Sequence, residues 1–301
     1  RRHDAQEHAL KEPRLRTAQA LPILLLSTTS AMAIDVNALW DFSKPALSEE
    51  RFRAALASAS GDDALILQTQ IARTWGLRRD FDRARAVLAE AQPQLNDASA
   101  EAQVHYWLEL GRTYCSATHD DASQNDEAKA RARTAYGNAL ALARAASLDS
   151  LAIDTLHMYA FVDRTPADEL RYVDQALALL QASTQPDAKG WEASLRNNRG
   201  YALQQLRRYD EALAEFRRAL AAREKQGKPR GIRIAHWMIA NTYRLMGRLD
   251  EAREIQLRLE REWDADNEPD PYVFEELEAI YRAQGNAERA AHYAARLKAT
   301  R

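Results

Sequence analysis

Residues 200–219 read GYALQQLRRYDEALAEFRRA, and residues 240–259 read ANTYRLMGRLDEAREIQLRL. The second segment repeats the first at identical offsets. Ala240 stands where Gly200 does, and the run Leu249-Asp250-Glu251-Ala252 stands where Tyr209-Asp210-Glu211-Ala212 does. Self-similarity at a fixed period of roughly forty residues is the mark of a repeat architecture.

This repeat frame has a physical basis in the packing of two antiparallel helices. Helices approach closely only where small side chains face each other, so the frame predicts that Gly200 faces Ala212. Larger residues such as Leu203 and Phe216 then fill the space between one helix pair and the next, because a single pair cannot bury its apolar stripe alone. Gly247 and Gly285 stand where a helix end requires a left-handed residue.

The frame extends over most of the chain. It recurs at Ala72, Trp75, Phe81, Ala84, Leu88 and Ala91 near the start, and at Glu278, Tyr281, Gly285, Ala290, Ala294 and Leu297 near the end. Residues 102–114 and 129–145 form a further pair, joined by an insertion. The next pair diverges from the frame; Asp149 is predicted to cap its first helix, while its second has Thr165 as cap and Pro166 at the first position.

These segments resemble tetratricopeptide repeats, and Leu195 to Gly200 with the downstream run Arg223 to Gly227 is similar to the longer repeats of kinesin light chains and related bacterial proteins. The resemblance implies an all-α fold: a right-handed superhelical array of antiparallel helix pairs, with about six repeats. The expected units are 61–96, 97–146, 147–185, 186–228, 229–267 and 268–301. Residues 34–60 are expected to contain a capping helix from Glu49 to Ala59, and the helix from Ala287 to Lys298 should cover the other end.

Residues 1–33 differ from the repeats. The apolar run Leu21–Leu26 is too short to span a bilayer, so no membrane insertion is expected. Together with Arg14 and Arg16 before it and Ala31-Met32-Ala33 after it, the run has the parts of a secretory signal. Acidic residues in the basic region and a proline in the run favour a flexible leader and a cytoplasmic location. A secreted or periplasmic location is the alternative, if residues 14–33 act as a signal peptide.

Charge and cysteine content exclude several classes of partner and fold. The 42 Lys and Arg residues against 44 Asp and Glu leave a formal charge of −2, without the basic excess that nucleic-acid binding requires. The one cysteine, Cys115, allows neither an intrachain disulfide nor a zinc site built from cysteines. The fold is therefore expected to be held by packing alone.

Candidate catalytic and metal-binding residues do not form any known pattern. Residues 116–126 contain His119 among several carboxylates, but their spacing fits no ligand template and indicates a solvent-exposed loop. Cys115 is interpreted as a small buried group on a helix. The segment Gly227–Gly231 lacks the strand and glycines of a phosphate loop. The sequence therefore predicts neither an enzyme nor a cofactor or metal site.

In tetratricopeptide proteins the first helices line a concave groove, and the resemblance places a set of residues there. Asparagine and glutamine offer both a donor and an acceptor to a peptide backbone, and aromatic residues offer pockets. Trp237 is assigned equally to the core or the groove. Glu275 and Glu276 stand where a basic clamp for acidic tails would require positive charge, so an acidic chaperone tail is not the expected partner. The predicted partner-binding residues are His105, Arg112, Asn197, Asn198, Tyr201, Gln204, Trp237, Asn241, Arg244, Tyr272 and Arg282, with Leu108 and Glu275 on the same face.

Three classes of function are consistent with this reading. A scaffold or adaptor that binds a peptide or partner protein is favoured, because a repeat array without a catalytic constellation is mostly surface. The alternative is a peptide-responsive sensor or regulator. The third is a helical enzyme of the α/α toroid type, which needs paired carboxylates in a cleft; Glu109 and Asp163 have no frame that brings them together.

Overall fold

The computed structural model describes residues 34–300, so the leader or signal segment predicted for 1–33 lies outside the described residues. The described part is helical, with a short 3₁₀ helix at Gln92–Asp97. The α-helices are α1 (Val36–Leu39), α2 (Pro45–Leu56), α3 (Gly61–Leu77), α4 (Phe81–Ala91), α5 (Ala100–Arg112), α6 (Asp126–Ala145), α7 (Asp149–Tyr159), α8 (Pro166–Ala182), α9 (Pro186–Lys189), α10 (Glu192–Gln205), α11 (Tyr209–Gln226), α12 (Pro229–Leu245), α13 (Leu249–Ala265), α14 (Pro271–Ala283) and α15 (Ala287–Thr300).

From α3 onward the helices form consecutive antiparallel pairs, α3 with α4, α5 with α6, α7 with α8, α10 with α11, α12 with α13 and α14 with α15. The apolar core is shared between neighbouring pairs, as where Leu259 and Trp263 of α13 pack with Phe274 of α14 and Tyr293 of α15. The predicted all-α solenoid of helix pairs is confirmed. No helix among residues 34–300 is both long and apolar enough to cross a bilayer.

Two glycines allow large rings to pack against the first helices. A Cβ on Gly200 would overlap the Phe216 ring, and one on Gly111 would overlap the Tyr136 ring. The side chain nearest to Gly200 is thus Phe216, which lies one turn further along α11 than the Ala212 that the frame predicts to face it. At both glycines the absence of a side chain allows the helices to pack closely, and an aromatic ring of the second helix fills the space beside the glycine.

Helix ends follow the sequence signals at most positions. Gly247 and Gly285 have φ values of 77° and 74°, and Thr165 caps α8 with Pro166 first, as predicted. Asp149 was predicted to cap α7, but it is the first residue of that helix. Its backbone N–H donates a hydrogen bond to Gln185 Oε1 at 3.2 Å. The N-terminal helix α2 begins at Pro45, ahead of the predicted start, because proline suits the first helical turn.

The connection between α5 and α6, residues 113–125, is only partly exposed. Cys115 is buried as predicted, but it lies in a turn after α5 and not on a helix. The solvent-exposed loop predicted here was wrong for Ser116 and Gln124, which are buried. The segment folds back onto the first pair: His119 stacks on Phe81 with ring centroids 3.8 Å apart, and Thr118 donates a hydrogen bond to the Gly76 carbonyl.

Candidate binding surface on the first helices

The first helices of successive pairs are joined by a ladder of polar side chains, which we call the inter-helix ladder. Each rung joins a residue of one first helix to a residue of the next. The rungs are Arg73 to Glu109 at 3.7 Å, Arg112 to Asp154 at 2.6 Å, His157 to Asn198 at 3.2 Å and Asn241 to Glu276 at 2.8 Å. Between α10 and α12 the connection is made by Gln204, which donates to Asn241 and Thr242, each at 2.9 Å.

The C-terminal part of the ladder is well satisfied. Glu276 is buried and accepts hydrogen bonds from Asn241 and, through both oxygens, from Arg244 at 2.8 and 2.9 Å. Asn241 uses its oxygen for Gln204 and its nitrogen for Glu276. Three of the predicted partner-binding residues, Gln204, Asn241 and Arg244, therefore bond to one another or to Glu276, and their amide and guanidinium groups stabilise the array.

The N-terminal part is a cluster of charged groups with little exposure to solvent. Glu109 is 1% exposed and pairs through Oε1 with Arg112, which also binds Asp154. The second oxygen, Glu109 Oε2, is buried and has no hydrogen-bond partner among the described residues. The Arg73 guanidinium forms no hydrogen bond with a described residue; it lies 3.7 Å from Glu109 and near the rings of Trp40 and Phe42. This end of the ladder has unused bonding capacity.

The histidines of this cluster are neutral at neutral pH. Burial lowers the pKa of His105 to about 4, and it also lowers the pKa of His157. Burial raises the pKa of Asp154, but the charges of Arg112 and then Arg73 outweigh it and hold that pKa below its ordinary value. The two guanidiniums and the carboxylates of Glu109 and Asp154 therefore leave the cluster without net charge.

A cavity of about 240 Å³ opens beside this cluster, between α3, α5, α7 and the 113–125 segment. Arg73, Glu109, Arg112 and Asp154 form its polar side. Its apolar side consists of Ala72, Leu77, Met158, Phe161 and Trp191, the last of which uses its indole N–H for Ser150 Oγ at 3.2 Å. We call this the N-terminal pocket.

A larger cavity, of about 620 Å³, lies between α12, α14 and the segment that joins α13 to α14. We call it the C-terminal pocket. Ile234 and Tyr272 border it with exposed fractions of 41% and 64%, and Trp237 donates from Nε1 to the Tyr272 carbonyl at 3.2 Å. Its other apolar residues are Met238, Trp263, Pro269 and Pro271, with Arg230 and Arg233 over the Trp263 ring.

The remaining predicted residues fall in several environments. Tyr201 is 46% exposed and borders a third cavity, of about 270 Å³, with His157 and Asn198. The side-chain oxygen of Asn197 is buried without a hydrogen-bond partner among the described residues, and Arg282 pairs with Glu278 at the surface. The resemblance had placed Leu108 on the open face of the first helices. That placement was wrong, because Leu108 is buried.

Several residues of both pockets were missed by the sequence reasoning. Arg73 follows Ala72 as Asn241 follows Ala240, so the frame itself placed it among the groove residues. Asp154 lies in the divergent pair, where the frame gave no signal. Ile234 and Trp263 belong to helix ends whose approach depends on the connection between α13 and α14. Within residues 34–300, no three His, Cys, Asp or Glu side chains are grouped so as to hold a metal ion.

The architecture is that of an α-solenoid built from helix pairs. Residues 191–261 match the sequence model of the family described as tetratricopeptide repeat. This match covers the part of the chain where the repeat frame is clearest, and it supports the tetratricopeptide repeats predicted there. No curated protein matches the sequence.

Solved structures show the same fold at low sequence identity. The crystal structure of PilW, a widely conserved type IV pilus biogenesis factor, is 21% identical, with a TM-score of 0.55 over 78% of this chain and 93% of that one. A signal transduction ATPase with numerous domains from Pyrococcus horikoshii, with a tetratricopeptide repeat sensor, is 12% identical, with a TM-score of 0.62 over 84% of this chain and 38% of that one. These likenesses concern the fold.

Proposed function

We propose that this protein is an interaction scaffold that binds a peptide segment of a partner protein on its first helices, with an apolar side chain of the partner anchored in the C-terminal pocket. The observation that carries the proposal is the pocket of about 620 Å³ whose border leaves Ile234 and Tyr272 exposed. Exposed apolar and aromatic groups around a concavity are typical of protein-binding hot spots.

Charge at the pocket defines the partner further. Arg233 is paired with Asp266 at 2.6 Å, whereas Arg230 forms no ion pair with any described residue and lies 5.6 Å from the Trp263 ring. Glu268 and Asp270 also line the pocket, so Arg230 is the lining cation at which a carboxylate on the incoming chain is favoured. We therefore expect a partner segment with a large apolar side chain close to an Asp or Glu.

The inter-helix ladder has a supporting role in this proposal. Gln204, Asn241 and Arg244 already form hydrogen bonds across three first helices. We therefore expect them to fix the relative positions of the helices that form the pocket and not to bind the peptide backbone. A pre-organised surface binds more tightly because less conformational entropy is lost on association. Action in the cytoplasm is part of the proposal, with a secreted or periplasmic location as the alternative.

A displayed library of random peptides tests this function without knowledge of the partner. The wild-type chain should select peptides that share an apolar residue next to an acidic one. Ile234→Ser should weaken their binding at least tenfold, which is about 1.4 kcal/mol. Leu245→Ser is the matched control, because Leu245 lies on the same helix with 40% exposure and outside the pocket.

Two results would contradict the proposal. One is the absence of any enriched peptide family, and the other is equal binding by the Ile234 and Leu245 variants. Arg230→Gln separates the two parts of the motif: it should reduce selection of the acidic residue while the apolar residue is still selected.

A further inference from the structure

The third cavity, of about 270 Å³, lies between α7, α8 and α10, and a carboxylate on its lining has no partner among the described residues. This residue is Glu169, which is half-buried in the first turn of α8 and whose carboxylate forms no hydrogen bond or ion pair there. Burial raises the pKa of Glu169, and the charge of Arg164 offsets this only in part. A cation in the cavity would therefore stabilise the ionised carboxylate.

The other titratable groups on the same lining do not supply that cation. Arg164 lines the cavity, but its guanidinium is paired with Asp121 at 2.6 Å. Burial lowers the pKa of His157, so that its ring is neutral at neutral pH, and its Nδ1 atom is hydrogen-bonded to Asn198 at 3.2 Å. The charge that remains without compensation in the cavity is that of Glu169.

An aromatic ring on the lining is also free to accept a cation. Tyr201 is 46% exposed, and its ring has neither an aromatic nor a cationic neighbour among the described residues. Tyr172 differs, because its ring is stacked on Tyr159 at 4.9 Å and already has Arg171 at 4.7 Å. Cations are attracted to the face of an aromatic ring. Tyr201 can therefore contribute to the binding of a cation held by the carboxylate.

The shape of the cavity selects the kind of cation. A guanidinium is planar, stays charged and combines stacking on a ring with pairing to a carboxylate, which suits this lining better than a compact ammonium. Leu156, Val173 and Leu195 offer apolar contacts to an aliphatic stem. The volume of about 270 Å³ lies below the ~300–1,000 Å³ typical of sites for organic ligands. The cavity therefore suits one arginine side chain.

The third cavity lies on the same row of first helices as the C-terminal pocket. It is bordered by α7 and α10, whereas the C-terminal pocket is bordered by α12 and α14. Two helix spacings of about 8–10 Å each separate them, a distance that about six residues of extended chain span.

We propose that the third cavity binds an arginine side chain of the partner segment, with the guanidinium on Glu169 and Tyr201. The identity of the partner rests on the proposed function, in which an apolar residue of the same segment occupies the C-terminal pocket. The arginine then lies about six residues from that apolar residue. The segment is recognised at two places, and the second adds specificity by charge.

A model of the arginine side chain tests the cavity without the partner. The full chain is titrated with N-acetyl-L-arginine amide and with N-acetyl-L-citrulline amide, which has nearly the same shape and no charge, while the NMR signals of Tyr201 are followed. The arginine probe should bind saturably at concentrations up to about 10 mM, and the citrulline probe about fivefold or more weakly.

Two variants assign the binding to the carboxylate. Glu169→Gln should weaken binding of the arginine probe about fivefold or more and leave binding of the citrulline probe unchanged. Glu192→Gln is the matched control, because Glu192 is also an acidic residue in the first turn of a helix, α10, and lies outside the cavity. The inference is overturned if the arginine probe does not bind in that range, if both probes bind equally, or if Glu169→Gln binds the arginine probe as the wild type does.

The library of random peptides separates this inference from the proposed function. The selected family should contain an arginine at the expected spacing, and Glu169→Gln should lose that arginine while the apolar and acidic residues are still selected. A family with the apolar and acidic residues but no arginine refutes the arginine site and supports the proposed function. Binding of the arginine probe without any enriched family supports the arginine site and refutes the proposed function.

Discussion

The two ends of the inter-helix ladder occupy the same kind of position and differ in how completely their groups are bonded. At the C-terminal end Gln204, Asn241, Arg244 and Glu276 satisfy one another. At the N-terminal end Glu109 keeps a buried oxygen without a partner. The first arrangement stabilises the array, whereas the second leaves a buried acceptor without a hydrogen bond. Whether a polar residue on a repeat surface can bind a partner therefore depends on which of its donors and acceptors have no hydrogen bond within the chain.

Removing the central cation of each cluster should give the largest difference. Arg112→Met leaves Glu109 and Asp154 buried without their main partner, and we expect a loss of about 3–5 kcal/mol in the free energy of unfolding. Arg244→Met should cost less, about 2 kcal/mol, because Arg244 is more exposed and Glu276 keeps its bond to Asn241. Urea unfolding followed by circular dichroism measures both, and equal losses would refute the contrast.

The glycines of the two halves offer a second comparison. Gly111→Ala drives a methyl group into the Tyr136 ring, which is held by its hydroxyl bond to the Cys115 carbonyl at 2.6 Å, so we expect a loss of about 3 kcal/mol. Gly200→Ala meets the Phe216 ring, which has no such bond, and should cost about 2 kcal/mol. Gly76→Ala is the control; it has open space and should stabilise α3 by about 0.5–1 kcal/mol. Thermal unfolding of the three variants ranks them.

Acid should weaken the N-terminal cluster through His105. The unfolded chain binds a proton at this histidine below about pH 6.5, whereas the folded chain does so only near pH 4, so stability falls as the pH is lowered from 6.5 to 4. Since one pKa unit is worth about 1.36 kcal/mol and the ring is partly exposed, we expect His105→Gln to remove roughly 2 kcal/mol of this loss. His292→Gln, at an exposed position, is the matched control. A profile for His105→Gln that matches the wild type would disprove this origin.

Single amide rungs should give the smallest effects. Asn198→Ala removes one hydrogen bond to His157 and should cost about 1 kcal/mol. Asn241→Ala should cost slightly more, because Gln204 and Glu276 both lose a partner. Equilibrium unfolding of both single variants checks the order, and a larger loss for Asn198→Ala would reverse it.

The fold was predictable from the sequence because the frame specifies both the close contacts and the filling residues. Gly247, Gly285 and Thr165 mark helix ends through local backbone preferences, which need no knowledge of the rest of the chain. The close approach of the Phe216 ring to Gly200 was not predictable in the same way, since the position of that ring depends on the rotation of α11 against α10.

The candidate site was predictable only as a set of positions. The groove residues were considered one helix at a time, whereas their bonds run between helices whose register is fixed by core packing. Asn241 was therefore expected to be available to a peptide and proves to bond to Glu276. Glu109 was judged unable to pair with a distant carboxylate; the side chain of Arg112 brings it together with Asp154 instead.

The 113–125 segment has a consequence for how the chain opens. It reaches back to the first pair through Thr118 and Gly76, and forward to the third pair through Asp121 and Arg164 at 2.6 Å. Repeat arrays normally fray from their ends one unit at a time, since each unit touches only its neighbours. Because the 113–125 segment connects three helix pairs, the amide hydrogens of these pairs should exchange in one concerted opening. Helices α3 to α8 should therefore exchange together at one rate, while α14 and α15 should exchange earlier and separately.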